Sequence, residues 1–150
     1  MMEIDTNRMD PGSVAVIVPG YNRAQFTQDE ELSFRQLEHF LGRYDKYLVV
    51  PESLAIERPG FHLQRFADTY FGSAAANNKL MMSQTFYQAF RKYRYILIYQ
   101  LDALVFSDTL LEWCAEDWDY IGPPWLQSAD SPWVGTPRVG NGGFSLRKVE

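Results

Sequence analysis

The stretch that most constrains how this chain can fold runs from Tyr93 to Phe106 and reads YRYILIYQLDALVF. Its first part, Tyr95 to Tyr99, is a short apolar run rich in aromatic and β-branched residues. Such a run is typical of a strand that is buried on both faces of a parallel or mixed sheet. Gln100 and Asp102 then interrupt the apolar sequence.

A carboxylate between two apolar segments is costly to bury without a partner. At the carboxyl end of a strand it would instead face the crevice in which α/β proteins bind ligands. Asp102 is therefore the first candidate for chemistry. The local sequence leaves a second interpretation open, in which Asp102 only caps or turns the chain between two short strands.

Length and composition predict one globular domain. The chain has 150 residues, enough to bury a substantial core, and only 22% of them are charged. We expect a disordered lead-in at residues 1–12 and a folded domain over residues 13–150. The net charge of −5 argues against a nucleic-acid backbone and an anionic membrane surface as partners, but it leaves a small anionic ligand open.

Several classes of protein are disfavoured by what the sequence lacks. Cys114 is the single cysteine, so an internal disulfide is excluded and a cysteine-based zinc site is implausible. No apolar run approaches the roughly 18 residues of a membrane span, and the first residues lack a signal-peptide core. We therefore expect no membrane span and a cytoplasmic location.

The remaining pattern predicts strands that alternate with helices, which indicates an α/β sandwich with a nucleotide crevice. Besides Tyr95–Tyr99, the predicted strands are Val14–Val18, Tyr47–Val50, Phe61–Phe66 and Phe144–Leu146. The predicted helices are one from the capping box of Thr27 and Glu30 to Gly42, one from Ser73 to Phe90, and a short one from Ser107 to about Cys114.

Polar residues that follow these strands are further candidates for a ligand site. Tyr21 and Asn22 follow the first strand, and Glu52 follows the second, where it is either a ligand acceptor or a solvated carboxylate. Lys79, in the second helix, suits a diphosphate if it lies near the sheet edge, and otherwise it is a solvated lysine.

Two segments near the end of the sequence suggest loops with a function. Residues 126–138 form a long loop of the kind that often acts as a lid. Trp125, just before it, and Trp133, within it, can stack on a sugar or cover the core. Residues 140–143 read GNGG, which permits positive φ angles and close approach of a ligand or another chain segment. A tight hairpin would use the same residues.

Four motifs together resemble glycosyltransferases with the GT-A, nucleotide-diphospho-sugar transferase fold. VIVPGYNR is similar to their opening strand and loop, and YILIYQLDALVF to the strand that carries their Asp-x-Asp metal motif. DYIGPPW and VGNGGFSLRKV are similar to segments that line the sugar and acceptor side. The joint match, over residues 14–149, is closest to a poorly characterised glycosyltransferase-like family with a Gln-Leu-Asp version of the motif.

This resemblance implies a three-layer α/β/α fold with a mostly parallel central sheet, and transfer of a sugar from a nucleotide-diphosphate donor to an acceptor hydroxyl. It implies a divalent cation, Mn²⁺ or Mg²⁺, between Asp102 and the diphosphate. It assigns no catalytic residue. The implied donor-binding residues are Pro19, Tyr21, Asn22, Lys79, Gln100, Asp102, Asn141, Gly142, Gly143 and Phe144.

The sequence departs from that pattern in two places. Gln100, a neutral side chain, stands where the Asp-x-Asp motif has its first carboxylate. The sequence ends at Glu150, where such enzymes continue with further elements, so we expect a domain truncated at its C-terminus. The alternative function is a non-catalytic remnant of the fold that binds carbohydrate or protein. A dinucleotide-binding oxidoreductase is disfavoured because no Gly-x-Gly-x-x-Gly follows the first strand.

Overall fold

A computed structural model describes residues 9–129, 132, 135 and 138–149. Of the predicted lead-in, residues 1–8 therefore lie outside the described part, and Pro11–Ser13 forms a 3-10 turn capped by Asp10. The elements, in chain order, are β1 (Val14–Pro19), α1 (Gln28–Leu41), β2 (Asp45–Pro51), β3 (His62–Phe66), α2 (Ala74–Met81), α3 (Gln84–Ala89), β4 (Tyr95–Tyr99), α4 (Leu110–Ala115), β5 (Tyr120–Ile121), β6 (Pro124–Trp125), β7 (Arg138–Val139) and β8 (Phe144–Lys148).

Six of the strands form a central sheet in the order β3-β2-β1-β4-β8-β5. The pairs β2–β3, β1–β2 and β1–β4 are parallel, whereas β8 runs antiparallel to both β4 and β5. Strands β6 and β7 form a separate antiparallel pair. The carboxyl ends of four parallel strands and the beginning of β8 therefore meet at one edge of the sheet.

Helices cover both faces of this sheet because its central strands are apolar on both sides. Val16 of β1 is fully buried in one core with Phe34 of α1, and the α4 side chains join the same core. The neighbouring Ile17 is fully buried in a second core with Phe86 of α3 and with residues of α2. The predicted three-layer α/β/α arrangement with a mostly parallel central sheet is thus confirmed.

The predicted single helix from Ser73 to Phe90 is wrong, because the chain forms two helices there. The Ser83 hydroxyl donates to the carbonyl of Leu80 at 2.6 Å and accepts from the N–H of Phe86 at 3.2 Å. One side chain thus ends α2 and caps α3. The break was not evident from the apolar spacing, which continues through it.

The short helix after β4 begins later than predicted, at Leu110 rather than just after Ser107. Thr109 is the N-cap residue and makes no side-chain bond to the helix. The carboxylate of Asp108 accepts from the N–H of Leu110 at 3.3 Å and pairs with Arg43 at 2.7 Å. The predicted strands are all present, and β5, β6 and β7 are additional. No helix in the described ranges is long and apolar enough to cross a membrane.

Asp117 joins three elements at the sheet edge opposite the carboxyl ends. Its carboxylate accepts hydrogen bonds from Arg94 at 2.8 Å and from the Tyr95 hydroxyl at 2.9 Å, and it pairs with Lys148 at 2.9 Å. These donors, Lys148 foremost, lower the pKa of Asp117 to about 2. Its backbone has a φ of 58°, in the left-handed region that asparagine and aspartate tolerate best.

We expect Asp117→Asn to flatten the acid limb of the stability profile. The lowered pKa means that Asp117 stabilises the fold above its ordinary value of about 3.9, and that this contribution is lost as the pH falls towards about 2. Unfolding by urea, measured between about pH 2 and 6, should show a shallower pH dependence in the variant. Asp119→Asn, which changes a neighbouring exposed carboxylate, is the matched control, and equal slopes for the wild type and Asp117→Asn would contradict this role.

Candidate functional site

The structure brings three predicted segments together at one edge of the sheet. Strand β1 ends there at Pro19, β4 ends there at Tyr99, and β8 begins there with Phe144, which pairs with Tyr99. The N–H of Gln100 donates to the carbonyl of Gly143 at 2.8 Å. The loop after β1, the turn after β4 and the glycine segment before β8 are consequently neighbours.

A cavity of about 370 Å³ opens at this edge, between the loop after β1 and the first turns of α2. Its volume is in the range of small-molecule sites. Of the donor-binding residues predicted from the sequence, Pro19, Tyr21, Asn22 and Gln100 line it. The rest of the wall consists of Gly20 and of Phe71, Gly72, Ser73, Ala74, Asn77 and Asn78.

The α2 side of this cavity offers hydrogen-bond donors. The Ser73 side chain caps the helix by accepting from the N–H of Ala76 at 3.1 Å, and the amides of Asn77 and Asn78 lie one turn further on. The N-terminus of a helix favours anionic groups. The sequence analysis did not assign these residues to the site, although a helix that begins after a parallel strand must begin near the carboxyl edge.

Gly20 allows the loop after β1 to cross closely over β2. Its N–H donates to the carbonyl of Val49 at 2.8 Å, and a Cβ atom at this position would lie 2.3 Å from that carbonyl oxygen. No side chain fits there without moving the backbone. This crossing fixes the positions of Tyr21 and Asn22 at the mouth of the cavity.

Tyr21 is held by an ion pair that also anchors the loop to α1. The Arg23 guanidinium lies 4.3 Å from the centre of the Tyr21 ring and binds both carboxylate oxygens of Glu30, at 2.6 and 3.0 Å. Glu30 in turn closes the predicted capping box with Thr27. Burial and the negative charge of Glu30 raise the pKa of Tyr21, and the carboxylate of Asp102 adds to this effect.

Asp102 lies in an exposed turn directly after β4, beside the buried Leu101. The turn is fixed at the next residue, because the carbonyl of Ala103 accepts from the hydroxyls of Ser33 at 2.7 Å and Tyr99 at 3.1 Å. Among the described residues, Asp102 has no hydrogen bond or ion pair of its own. No hydrogen bond in this part of the chain therefore supports the interpretation of Asp102 as a capping residue.

The glycine segment is shaped by close approach more than by unusual backbone angles. Gly140 has a φ of 127°, and a Cβ at Gly143 would lie 2.7 Å from Oε1 of Gln100. The Asn141 side chain accepts from the N–H of Gly143 at 3.3 Å. Asn141 therefore supports the bend itself. The ring of Phe144 packs edge-on against Tyr99, with 5.7 Å between ring centres.

The other predicted residues lie away from the cavity. Lys79 is exposed in the last turn of α2, not in its first turns, and does not line the cavity. Since α2 begins at the predicted residue, the role of Lys79 at a diphosphate stays a prediction. Glu52 is exposed beyond β2, and its N–H bonds the carbonyl of Phe66 at 2.9 Å. Trp125 is 39% exposed in β6, and Trp133 lies outside the described residues.

The residues that a divalent cation would need are few at this edge. In the described ranges, no group of three or more His, Cys, Asp or Glu side chains is placed to hold a metal ion. Asp102 supplies one carboxylate, and Gln100 supplies an amide oxygen at the cavity wall. Mg²⁺ commonly uses one or two carboxylates together with water and substrate phosphates, so this donor set fits a cation that arrives with a diphosphate.

Comparison with known proteins gives a family match and a distant structural likeness. Residues 60–150 match a family described as "Protein of unknown function (DUF5672)". A solved structure, the mannosyltransferase PcManGT from Pyrobaculum calidifontis in complex with GDP-Man and Mn²⁺, is 22% identical with a TM-score of 0.39. The likeness covers 71% of this chain and 33% of that one, so the chain spans about a third of its length. A search of curated proteins gives no match.

We expect Gly20→Ala to destabilise the fold by about 2 kcal/mol, because the added methyl group overlaps a backbone carbonyl that cannot move without disturbing β2. The free energy of unfolding in urea measures this effect. Gly135→Ala is the control, since a Cβ there meets no atom of a described residue within 4 Å. An equal free energy of unfolding for Gly20→Ala and the wild type would show that the loop is not held against β2.

Proposed function

We propose that this chain, which belongs to the family described as "Protein of unknown function (DUF5672)", binds a nucleotide-diphosphate sugar and transfers the sugar to an acceptor hydroxyl. The proposal is based on the geometry of the site. The observation that carries this proposal is the cavity of about 370 Å³ at the carboxyl edge of the sheet. Tyr21, Asn22 and Gln100 line it, and the N–H of Gln100 bonds the carbonyl of Gly143 in the glycine bend. The motif resemblance described above supports the same function.

In this proposal the donor occupies the cavity with its diphosphate towards α2. The N-terminus of α2 and the amides of Asn77 and Asn78 provide donors suited to phosphate oxygens. The nucleoside then lies near Tyr21 and Asn22, at the mouth fixed by Gly20. Lys79 has no part in this arrangement, because it does not reach the cavity wall.

Asp102 is the residue proposed to hold a divalent cation, with the amide oxygen of Gln100 as a second, weaker ligand. The remaining ligands would be phosphate oxygens and water. A bound Mn²⁺ or Mg²⁺ supplies charge neutralisation of the departing nucleoside diphosphate. Asp102 suits this role since its carboxylate is exposed in a turn held by Ser33 and Tyr99 and makes no bond elsewhere in the described part.

The transfer itself breaks the bond between the anomeric carbon of the sugar and the phosphate oxygen, and the nucleoside diphosphate leaves with the electron pair. The acceptor oxygen forms the new bond to that carbon, and its proton is released. The backbone of Gly142 and Gly143, next to Gln100 of the cavity wall, is proposed to bound the sugar. We assign no catalytic base to a residue of this chain.

A second candidate function is carbohydrate binding without transfer. The observation in its favour is an exposed aromatic side chain, Trp125, in the β6–β7 pair that leads into the glycine segment. Tryptophan faces are common sites of sugar stacking. In this alternative Asp102 only turns the chain, and the aromatic surface carries the binding.

We expect Asp102→Asn to abolish the Mn²⁺-dependent part of donor binding, because it removes the charge that would hold the cation. Calorimetric titration with a panel of nucleotide-sugars, with and without Mn²⁺, measures this, and release of nucleoside diphosphate reports turnover. Glu57→Gln, a change of an exposed carboxylate in the β2–β3 loop, is the control. A folded wild-type chain that binds no donor in the panel would refute the proposal.

Trp125→Ala distinguishes the two candidate functions. For the transferase, donor affinity should change by less than about threefold in Trp125→Ala, which corresponds to well under 1 kcal/mol. For the binding module, Trp125→Ala should remove most of the affinity for oligosaccharides while Asp102→Asn leaves it intact. The same titrations on both variants therefore decide between them.

A further inference from the structure

Arg147, a half-buried residue of β8, has a guanidinium that the protein holds in place without neutralising it. Its Nε donates to the Ser145 hydroxyl at 3.1 Å. Its Nη1 donates to the Tyr87 hydroxyl at 3.0 Å and lies 3.4 Å from the carbonyl of Met81. All three partners are uncharged, and Nη2 has no hydrogen bond within the described part of the chain.

The positive charges of other partly buried arginines in this protein are balanced differently. Arg58 is paired with Glu31 at 2.9 Å, and Arg94 with Asp117 at 2.8 Å. Arg65 pairs with no carboxylate among the described residues, but its Nη1 contacts three backbone carbonyls at the end of β2 and in the loop that follows. Arg147 takes part in no ion pair with a described residue; its neighbours are the neutral groups named above and the ring of Tyr120, whose centre lies 5.8 Å from Cζ.

A purely structural role accounts for only part of this arrangement. The contact with Met81 places a cation at the C-terminus of α2, where positive charge is favourable. That role would need one nitrogen of the guanidinium. It explains neither the bonds to Tyr87 and Ser145, which fix the plane of the group, nor the unused Nη2. A planar fork held on one side is suited to bind a carboxylate or phosphate on the other.

The free nitrogen points to the glycine bend. A Cβ at Gly142 would lie 2.8 Å from Nη2 of Arg147, and a Cβ at Gly143 would lie 2.7 Å from Oε1 of Gln100. Side-chain-free positions thus separate the guanidinium from Gln100, which lines the cavity. The glycine bend therefore lies between Arg147 and the cavity wall.

We propose that Arg147 and the Gly142–Gly143 bend form an anion subsite, which binds a phosphate or carboxylate group of the ligand through Nη2. The subsite stands on the geometry of Arg147. Arg147 does not line the cavity itself. Its part in sugar transfer, as the recognition of a negatively charged acceptor or of the donor's diphosphate, therefore rests on the proposed function. Arg147 binds and orients the anion, and Tyr87 positions Arg147 through its hydroxyl.

The test is titration of the whole chain with inorganic pyrophosphate, glucose 1-phosphate and glucuronate, at low and high salt. Arg147→Gln should lower the affinity for the preferred anion by about tenfold or more, the loss expected for a charge-assisted hydrogen bond. Tyr87→Phe should lower it less while the charge is kept. Arg65→Gln removes another half-buried arginine remote from the bend and should leave the affinity unchanged.

The arms of the experiment separate the two sources of the anion. A loss confined to pyrophosphate assigns Arg147 to the donor, and a loss confined to glucuronate or glucose 1-phosphate assigns it to the acceptor. Arg147-dependent pyrophosphate binding in a chain that binds no nucleotide-sugar would refute the proposed function and support the subsite. Thermal unfolding of each variant confirms that it is folded, and Arg147→Lys replaces Arg147→Gln if the latter is not.

The subsite is overturned by either of two results. One is a wild-type chain that binds none of the three anions. The other is a folded Arg147→Gln or Arg147→Lys variant that binds each of them as the wild type does. In the second case Arg147 serves only to hold α2 and α3 against β8.

Discussion

The antiparallel pairing of β8 with β4 is the interaction on which the site depends. At its end, the N–H of Gln100 bonds the carbonyl of Gly143 at 2.8 Å. Without β8 beside it, β4 would end the parallel sheet as an exposed edge, with unpaired N–H and C=O groups. The pairing satisfies those groups and, because β8 runs the opposite way, brings the start of β8 to the edge where the parallel strands finish.

A second set of bonds fixes the turn that follows β4. Tyr99 is fully buried, and burial raises the pKa of its hydroxyl, which remains a donor. Together with Ser33 of α1, it binds the carbonyl of Ala103. A buried hydroxyl without a partner would cost about 1–3 kcal/mol. The same bonds that satisfy the core therefore hold the Asp102 turn at the surface, which links the packing of α1 to the position of the candidate metal ligand.

The fold could be predicted from the sequence because the patterns that indicate its strands and helices are formed by neighbouring residues. The apolar run Tyr95–Tyr99 and the capping box at Thr27 depend on neighbouring residues, and both are confirmed. The break at Ser83 was missed, since a serine that both ends one helix and caps the next lies within an uninterrupted apolar spacing.

The candidate site could be predicted only in part, because it is built by contacts between distant segments. The order of strands places Tyr21, Asn22 and Gln100 at one cavity, and sequence order alone could suggest that much. The environment of Arg147 could not be inferred, since Met81 and Tyr87 reach it from helices about 60 residues earlier in the chain.

The distribution of charge connects the fold to the proposed function. The chain as a whole is acidic, with a net charge of −5, yet the cavity is lined by the first turns of α2 and by neutral amides. Across the glycine bend lies one guanidinium that pairs with no carboxylate among the described residues. A buried or half-buried charge without a counter-charge is unfavourable. An anionic ligand would supply what the protein does not, so binding would relieve a cost already present in the folded chain. This argument needs no excess of positive charge, only the placement of one cation beside a bend from which side chains are absent.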